Sequence, residues 1–132
     1  MNVQVEKMEP KTDPRGCVWE PLTAAELVTQ QNCHVVITAP GAIRGNHFHR
    51  RGTEVATQYG PALVRFCDAR GVQEVVIAKD EVYRFVFPPG CAHAFQNSGT
   101  TPNVLVAFNT VLFDLNAPDV FPRELIALIR TE

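Results

Sequence analysis

From about residue 33 to residue 113 the chain repeats one pattern. Short runs of β-branched, aromatic and other apolar residues are cut by glycine, proline or asparagine. Residues 34–38, 62–66, 72–77, 82–87 and 104–113 are such runs, each bounded by turn-forming residues, and this predicts a series of β-strands. A shorter apolar stretch at 17–19 predicts another. Regularly spaced short strands close into a sandwich or barrel. Only the flanks read differently. Residues 1–16 are polar and hold Pro10, Pro14 and Gly16, which predicts an irregular N-terminal arm. Thr23 followed by Glu26 three residues later is a capping-box signal and predicts one or two helical turns. Near the C-terminus the period changes. Leu125, Leu128 and Ile129 fall on a helical stripe, Pro122 is acceptable at a helix start, and a helix over 120–131 is expected.

Composition narrows the picture. The chain has 132 residues, 45% of them hydrophobic, enough for one folded domain spanning 1–132 with its own core. A formal net charge of −2 argues against a nucleic-acid binder or an anionic-membrane binder driven by global charge. No apolar run is long enough to span a bilayer, and residues 1–16 carry no apolar signal core, so a cytoplasmic location is expected. The four cysteines, Cys17, Cys33, Cys67 and Cys91, show no CxxC spacing, and free thiols are expected. A small sandwich leaves strand edges and apolar faces that a second copy commonly covers, so a homodimer is expected.

The candidate chemistry sits in two segments. Gly41-Ala-Ile-Arg-Gly-Asn-His47-Phe-His49-Arg-Arg-Gly-Thr-Glu54 and Pro88-Pro-Gly-Cys-Ala-His93-Ala-Phe-Gln-Asn97 together hold three of the four histidines and a carboxylate. Residues two apart on a strand share a face, so His47 and His49 reach one point while Phe48 turns away. Glu54 arrives from the following strand and His93 from elsewhere in the fold. Neutral imidazoles plus a carboxylate suit a divalent metal: zinc first, with iron, nickel, manganese or cobalt also compatible. His34 stands apart, before an apolar run, where a histidine is ordinarily a surface or core residue. Arg44, Arg50 and Arg51 flank the histidines, either as a solvated rim or as an attraction for an anionic small-molecule substrate such as a nucleotide diphosphate.

HxH with a following Glu, then PxGxxHxxxN, resembles the two signature motifs of the cupin superfamily. The first fits at Gly41, His47, His49, Glu54 and Gly60, with one residue missing between the last two. The second fits at Pro88, Gly90, His93 and Asn97, with Val82 where a glycine is often found. The resemblance implies an all-β double-stranded β-helix, the jelly roll, with short helices only near the termini. It narrows further. Arg44-Gly-Asn-His-Phe-His49, Ala62-Leu-Val-Arg-Phe66, Pro88-Pro-Gly-Cys-Ala-His93 and Phe113-Asp-Leu-Asn-Ala-Pro-Asp119 are similar to segments of the C-terminal cupin domain in bifunctional capsular-polysaccharide enzymes. In that family the cupin domain carries zinc and epimerises a 4-keto nucleotide sugar beside the ketone, and a separate reductase domain follows with the reduction.

The resemblance implies His47, His49, Glu54 and His93 as metal ligands. Arg44, Asn46, Arg65 and Tyr59 are the substrate-binding candidates, the arginines for phosphate. His34, Tyr59 and Tyr83 are the titratable candidates for a base. A metal-dependent oxygenase and a non-catalytic small-molecule-binding cupin remain the alternatives, because one fold hosts many chemistries.

Overall fold

A computed structural model describes residues 1–128 of the chain. In chain order its elements are β1 (Gln4–Lys7), β2 (Lys11–Asp13), β3 (Gly16–Val18), α1 (Ala24–Leu27), β4 (Asn32–Thr38), β5 (Ile43–Phe48) and β6 (Glu54–Tyr59). They continue with β7 (Ala62–Asp68), β8 (Gly71–Ile77), β9 (Val82–Phe87), β10 (His93–Asn97), β11 (Asn103–Asn109) and β12 (Phe121–Pro122). Two five-stranded antiparallel sheets face each other, in the orders β1-β9-β6-β11-β4 and β12-β5-β10-β7-β8. This is the jelly roll that the strand pattern and motifs predict.

Alternation builds the core. Along β7, Ala62, Val64 and Phe66 are buried while Leu63 and Arg65 are only half-buried. Phe66, Phe85, Phe87 and Phe95 interlock between the sheets, with ring centroids 5.6 to 6.2 Å apart. Burying large aromatic rings of this kind supplies about 1.5–3 kcal/mol each before entropy costs. Outside the first sheet, the chain leading into α1 crosses over β6. There the Trp19 indole donates to Thr57 Oγ1 at 3.0 Å and its ring stacks on Tyr59. The capping box at α1 is present: Thr23 accepts from the Glu26 N–H and the Glu26 carboxylate accepts from the Thr23 N–H.

Both ends of the chain depart from expectation. The N-terminal arm is not irregular. β1 adds an edge strand to β9, Gln4 opposite Val86 and Lys7 opposite Tyr83, and β2 forms a hairpin with β3. All four β1 residues are exposed, so no apolar alternation marks the strand; it forms because the β9 edge offers unpaired backbone groups. The helix expected over 120–131 is also corrected. Phe121–Pro122 pairs with Phe48 and His47 as β12, and residues 123–128 are not helical. The remaining part of that expectation, 129–132, lies outside the described residues. The apolar run at 104–113 stays a strand only to Asn109 and then forms a loop.

Candidate metal centre

β5 and β10 lie side by side in the second sheet, with His47 opposite His93. The register shifts directly after that pair, because β5 bulges at Gly45–Asn46, both with positive φ (87° and 55°). A Cβ on Gly45 would sit 2.7 Å from the His93 carbonyl oxygen. Glycine there lets β5 press against β10 where the two histidines meet.

Ligand atoms of His47, His49 and His93 all lie within 4.8 Å of one another. Glu54, at the start of β6 in the facing sheet, joins them. Its Oε2 is 2.7 Å from His93 Nε2 and its Oε1 3.8 Å from His49 Nε2. The structure therefore gathers the three histidines from one sheet and sets Glu54 of the other beside His93 and His49.

The hydrogen bonds behind the rings set their orientation. His49 Nδ1 is 2.7 Å from the Asp119 carbonyl oxygen and His93 Nδ1 is 3.0 Å from that of Cys91. A carbonyl only accepts, so each Nδ1 carries the proton and each Nε2 presents a lone pair to the centre. His93 also stacks on Phe87, with centroids 4.2 Å apart. At the centre, His49 Nε2, His93 Nε2 and Glu54 Oε2 are buried without an aligned hydrogen-bond partner. Three such orphaned atoms converging on one spot are costly unless something binds them. Imidazole lone pairs beside a carboxylate are the donor set of a divalent metal, and the residues present fit one.

Electrostatics agree. Burial, together with its histidine neighbours, pushes the His47 imidazole down to about 4, against a weaker opposing pull from Glu54. Burial alone would raise the Glu54 carboxyl, but His93, His49 and His47 outweigh it and hold the group below the usual range. At neutral pH His47 is therefore a neutral imidazole and Glu54 a carboxylate, the forms in which these two residues bind a metal.

A cavity opens beside the cluster. His49 and Glu54 form its floor, Asn32, His34 and Asn109 line a polar side, and Phe108, Val111, Leu112, Phe113 and Val120 an apolar one. Leu112 and Phe113 are exposed at its mouth. Asp119 also reaches it, but its carboxylate accepts from the backbone N–H groups of Arg50, Arg51 and Gly52 at 2.9 to 3.2 Å. It thereby shapes the turn that carries His49.

The residues expected to bind substrate have other partners. Asn46 clasps the chain after β12: its side-chain oxygen accepts from the N–H groups of Leu125 and Ile126, and its amide donates to the Ile126 carbonyl. Arg65 pairs with Glu74 at 2.6 Å and donates to the Leu125 carbonyl. The Tyr59 hydroxyl donates to Asp80. Arg44 is exposed and reaches the Ile37 carbonyl at 3.3 Å. None of the four lines this cavity. Tyr83 packs against the core beside Phe85. Of the three candidate bases only His34 reaches the cavity. Asn32, Asn109 and Asp119 escaped the sequence reading of the site, although Asp119 closes the last motif noted there.

A jelly roll with a histidine–glutamate cluster between its sheets defines a cupin. Residues 11–121 match the polysaccharide biosynthesis C-terminal domain family, and the chain belongs to that family. Among curated proteins none matches the chain. Among solved structures it is similar to the capsular polysaccharide assembling protein CapF from Staphylococcus aureus (24% identity over 92% of this chain, TM-score 0.65). The chain spans about a third of that protein's length, 35%. It is also similar to a dTDP sugar isomerase from Desulfovibrio desulfuricans G20 (14% identity, 92% of this chain and 83% of that one, TM-score 0.75). A third is QdtA, a sugar 3,4-ketoisomerase from Thermoanaerobacterium thermosaccharolyticum in complex with TDP (14% identity, 91% and 87% covered, TM-score 0.67). At these identities the solved structures establish the fold.

Proposed function

We propose that this cupin is an isomerase or epimerase of a nucleotide-linked keto sugar, acting in polysaccharide or deoxysugar biosynthesis. The observation that carries the reading is the convergence of His49 Nε2, His93 Nε2 and Glu54 Oε2, buried without an aligned hydrogen-bond partner, beside a cavity that His49 and Glu54 line. His47, His49, Glu54 and His93 would hold a divalent ion, zinc in the first instance. Bound there, such an ion supplies a Lewis acid for chemistry beside a carbonyl. The rest falls to the protein. Asn32 and Asn109 offer hydrogen bonds to sugar hydroxyls, while Val111, Phe113 and Val120 suit the apolar face or methyl group of a deoxysugar. Arg51, largely exposed and 3.8 Å from Asp119 of the cavity wall, offers a cation to a diphosphate. The family match and the sugar-isomerase neighbours support the same substrate class.

The reading extends to a cytoplasmic protein that pairs with a second copy of itself. No described helix is long and apolar enough to cross a membrane.

Its test is exchange with solvent. Purified protein is analysed for metals, loaded with zinc, and incubated in D₂O with dTDP- and UDP-linked 4-keto sugars. Deuterium should enter at the carbon beside the ketone, and chelation should suppress it. If metal-loaded protein exchanges none of these sugars, the reading fails.

A further inference from the structure

A proton-transfer reaction beside a ketone needs a base that is free to take the proton. Among the described residues, four titratable side chains line the cavity: His34, His49, Glu54 and Asp119. Three are committed. His49 and Glu54 turn their free atoms into the cluster, and the Asp119 carboxylate is taken up by three backbone N–H groups. His34 is not. Among the described residues its hydrogen-bond contact is the Asn32 amide at 3.5 Å, the limit of such a bond.

Strand register puts His34 in the right place. On the inner face of the first sheet, His34 stands opposite Ala107, and Ala107 opposite Ala56. One step along, Asn32, Asn109 and Glu54 form the next row. His34 therefore sits across two strand spacings from β6, about 10 Å, and one inward-facing row from Glu54. The two alanines between are buried in the core, and the cavity opens over the neighbouring row, lined by Asn32, Asn109 and Glu54 with His34 and His49. A sugar ring lying in that cavity would have His49 and Glu54 of the cluster and the His34 ring along its walls.

We infer that His34 is the catalytic base of this site, the group that removes the proton beside the substrate's ketone; the inference rests on the isomerase reading above. The C–H bond breaks, its electron pair becomes the C=C bond of an enolate, and the proton passes to a ring nitrogen of His34. In the return step a proton from the imidazolium, or from solvent through the open mouth, bonds to the enolate carbon. No oxidant or reductant is needed. An imidazole suits the role because its unprotonated ring nitrogen has a lone pair to take the proton. His34 stands on an edge strand and is exposed, so its replacement should leave the fold intact.

The experiment compares zinc-loaded wild type with His34→Gln and His34→Ala, each checked for zinc content, in D₂O with the same dTDP- and UDP-linked 4-keto sugars. Deuterium uptake should fall at least 100-fold in both variants, within the range general-base catalysis supplies. Zinc content and sugar-nucleotide binding by calorimetry should hold, and added imidazole should restore part of the rate in His34→Ala. Exchange at the wild-type rate by His34→Gln overturns the assignment and leaves the isomerase reading standing. No exchange by wild type on any sugar overturns both. Loss of zinc in His34→Gln also overturns it, by making His34 a support of the cluster.

Discussion

Asp119 decides more of the site than its place in the sequence suggests. Its carbonyl oxygen accepts from His49 Nδ1 at 2.7 Å, and its carboxylate accepts from the N–H groups of residues 50, 51 and 52. One residue thus fixes both the tautomer of His49 and the turn that presents it. Carboxylate bonds to backbone N–H groups favour the charged form, and although burial opposes this, the Asp119 carboxyl is held below its ordinary value. Asp119→Asn keeps the shape but removes the charge and offers one acceptor oxygen where there were two. It should cost about 1–3 kcal/mol of stability. Since groups behind a metal ligand typically govern affinity by 10–100-fold, zinc affinity should drop by about that factor. Competition with a fluorescent chelator measures the affinity and urea unfolding the stability. Unchanged zinc affinity would show that the turn holds His49 without the carboxylate. Strand spacing put His47 and His49 on one face, and the resemblance to the two cupin motifs added Glu54 and His93. Spacing missed Asp119 because a carboxylate that serves backbone N–H groups 67 to 69 positions away leaves no local pattern.

The elements that were legible are those whose burial alternates. β7 and β11 each show inward and outward positions two apart, and the predicted apolar runs fall on them. β1 was illegible because it is an exposed edge strand held by backbone pairing. The stretch after β12 was misread for the opposite reason. Leu125 and Leu128 have helical spacing, but Asn46 and Arg65 take the backbone groups of residues 125 and 126 that a helix would use internally. Tertiary hydrogen bonds here outweigh a short helix, which is marginal on its own. The same bulge serves both sides of β5: Gly45 admits the close approach to His93, and Asn46 beside it anchors the tail. Gly45→Ala should therefore act on the whole element. The added methyl meets a backbone carbonyl in a strand register that has no slack, and alanine is also strained at φ of 87°. A loss of about 1–3 kcal/mol in urea unfolding is expected. Weaker zinc binding should accompany it, because β10 cannot move without moving His93. Wild-type stability would mean that β5 relaxes away from β10 at no cost.

On the scale of the whole molecule, the two sheets close around an aromatic core but leave apolar surface uncovered. β4 ends its sheet, and its outer face presents Val35 and Ile37, 67% and 56% exposed. Leu27 and Val28, at the end of α1, are exposed as well, 62% and 80%. An edge strand with unpaired backbone groups and an apolar outer face is the surface that monomeric proteins ordinarily block with charge or proline. Neither device is present between Asn32 and Thr38. A second copy is the occupant this edge suits. Antiparallel pairing of β4 with itself about a two-fold axis would satisfy both rows of backbone groups and bring the same apolar residues together. Sedimentation equilibrium at micromolar concentration should give a mass near 29 kDa, twice the chain's 14.6 kDa. Val35→Lys with Ile37→Lys should shift it to the monomer while circular dichroism stays that of a β-sandwich, since both side chains point away from the core. A monomeric wild type would show that the exposed face of β4 is tolerated without a second copy. A dimeric double variant would place the contact elsewhere, with the outer face of β8, where Val72 and Val76 are exposed, as the next surface to charge.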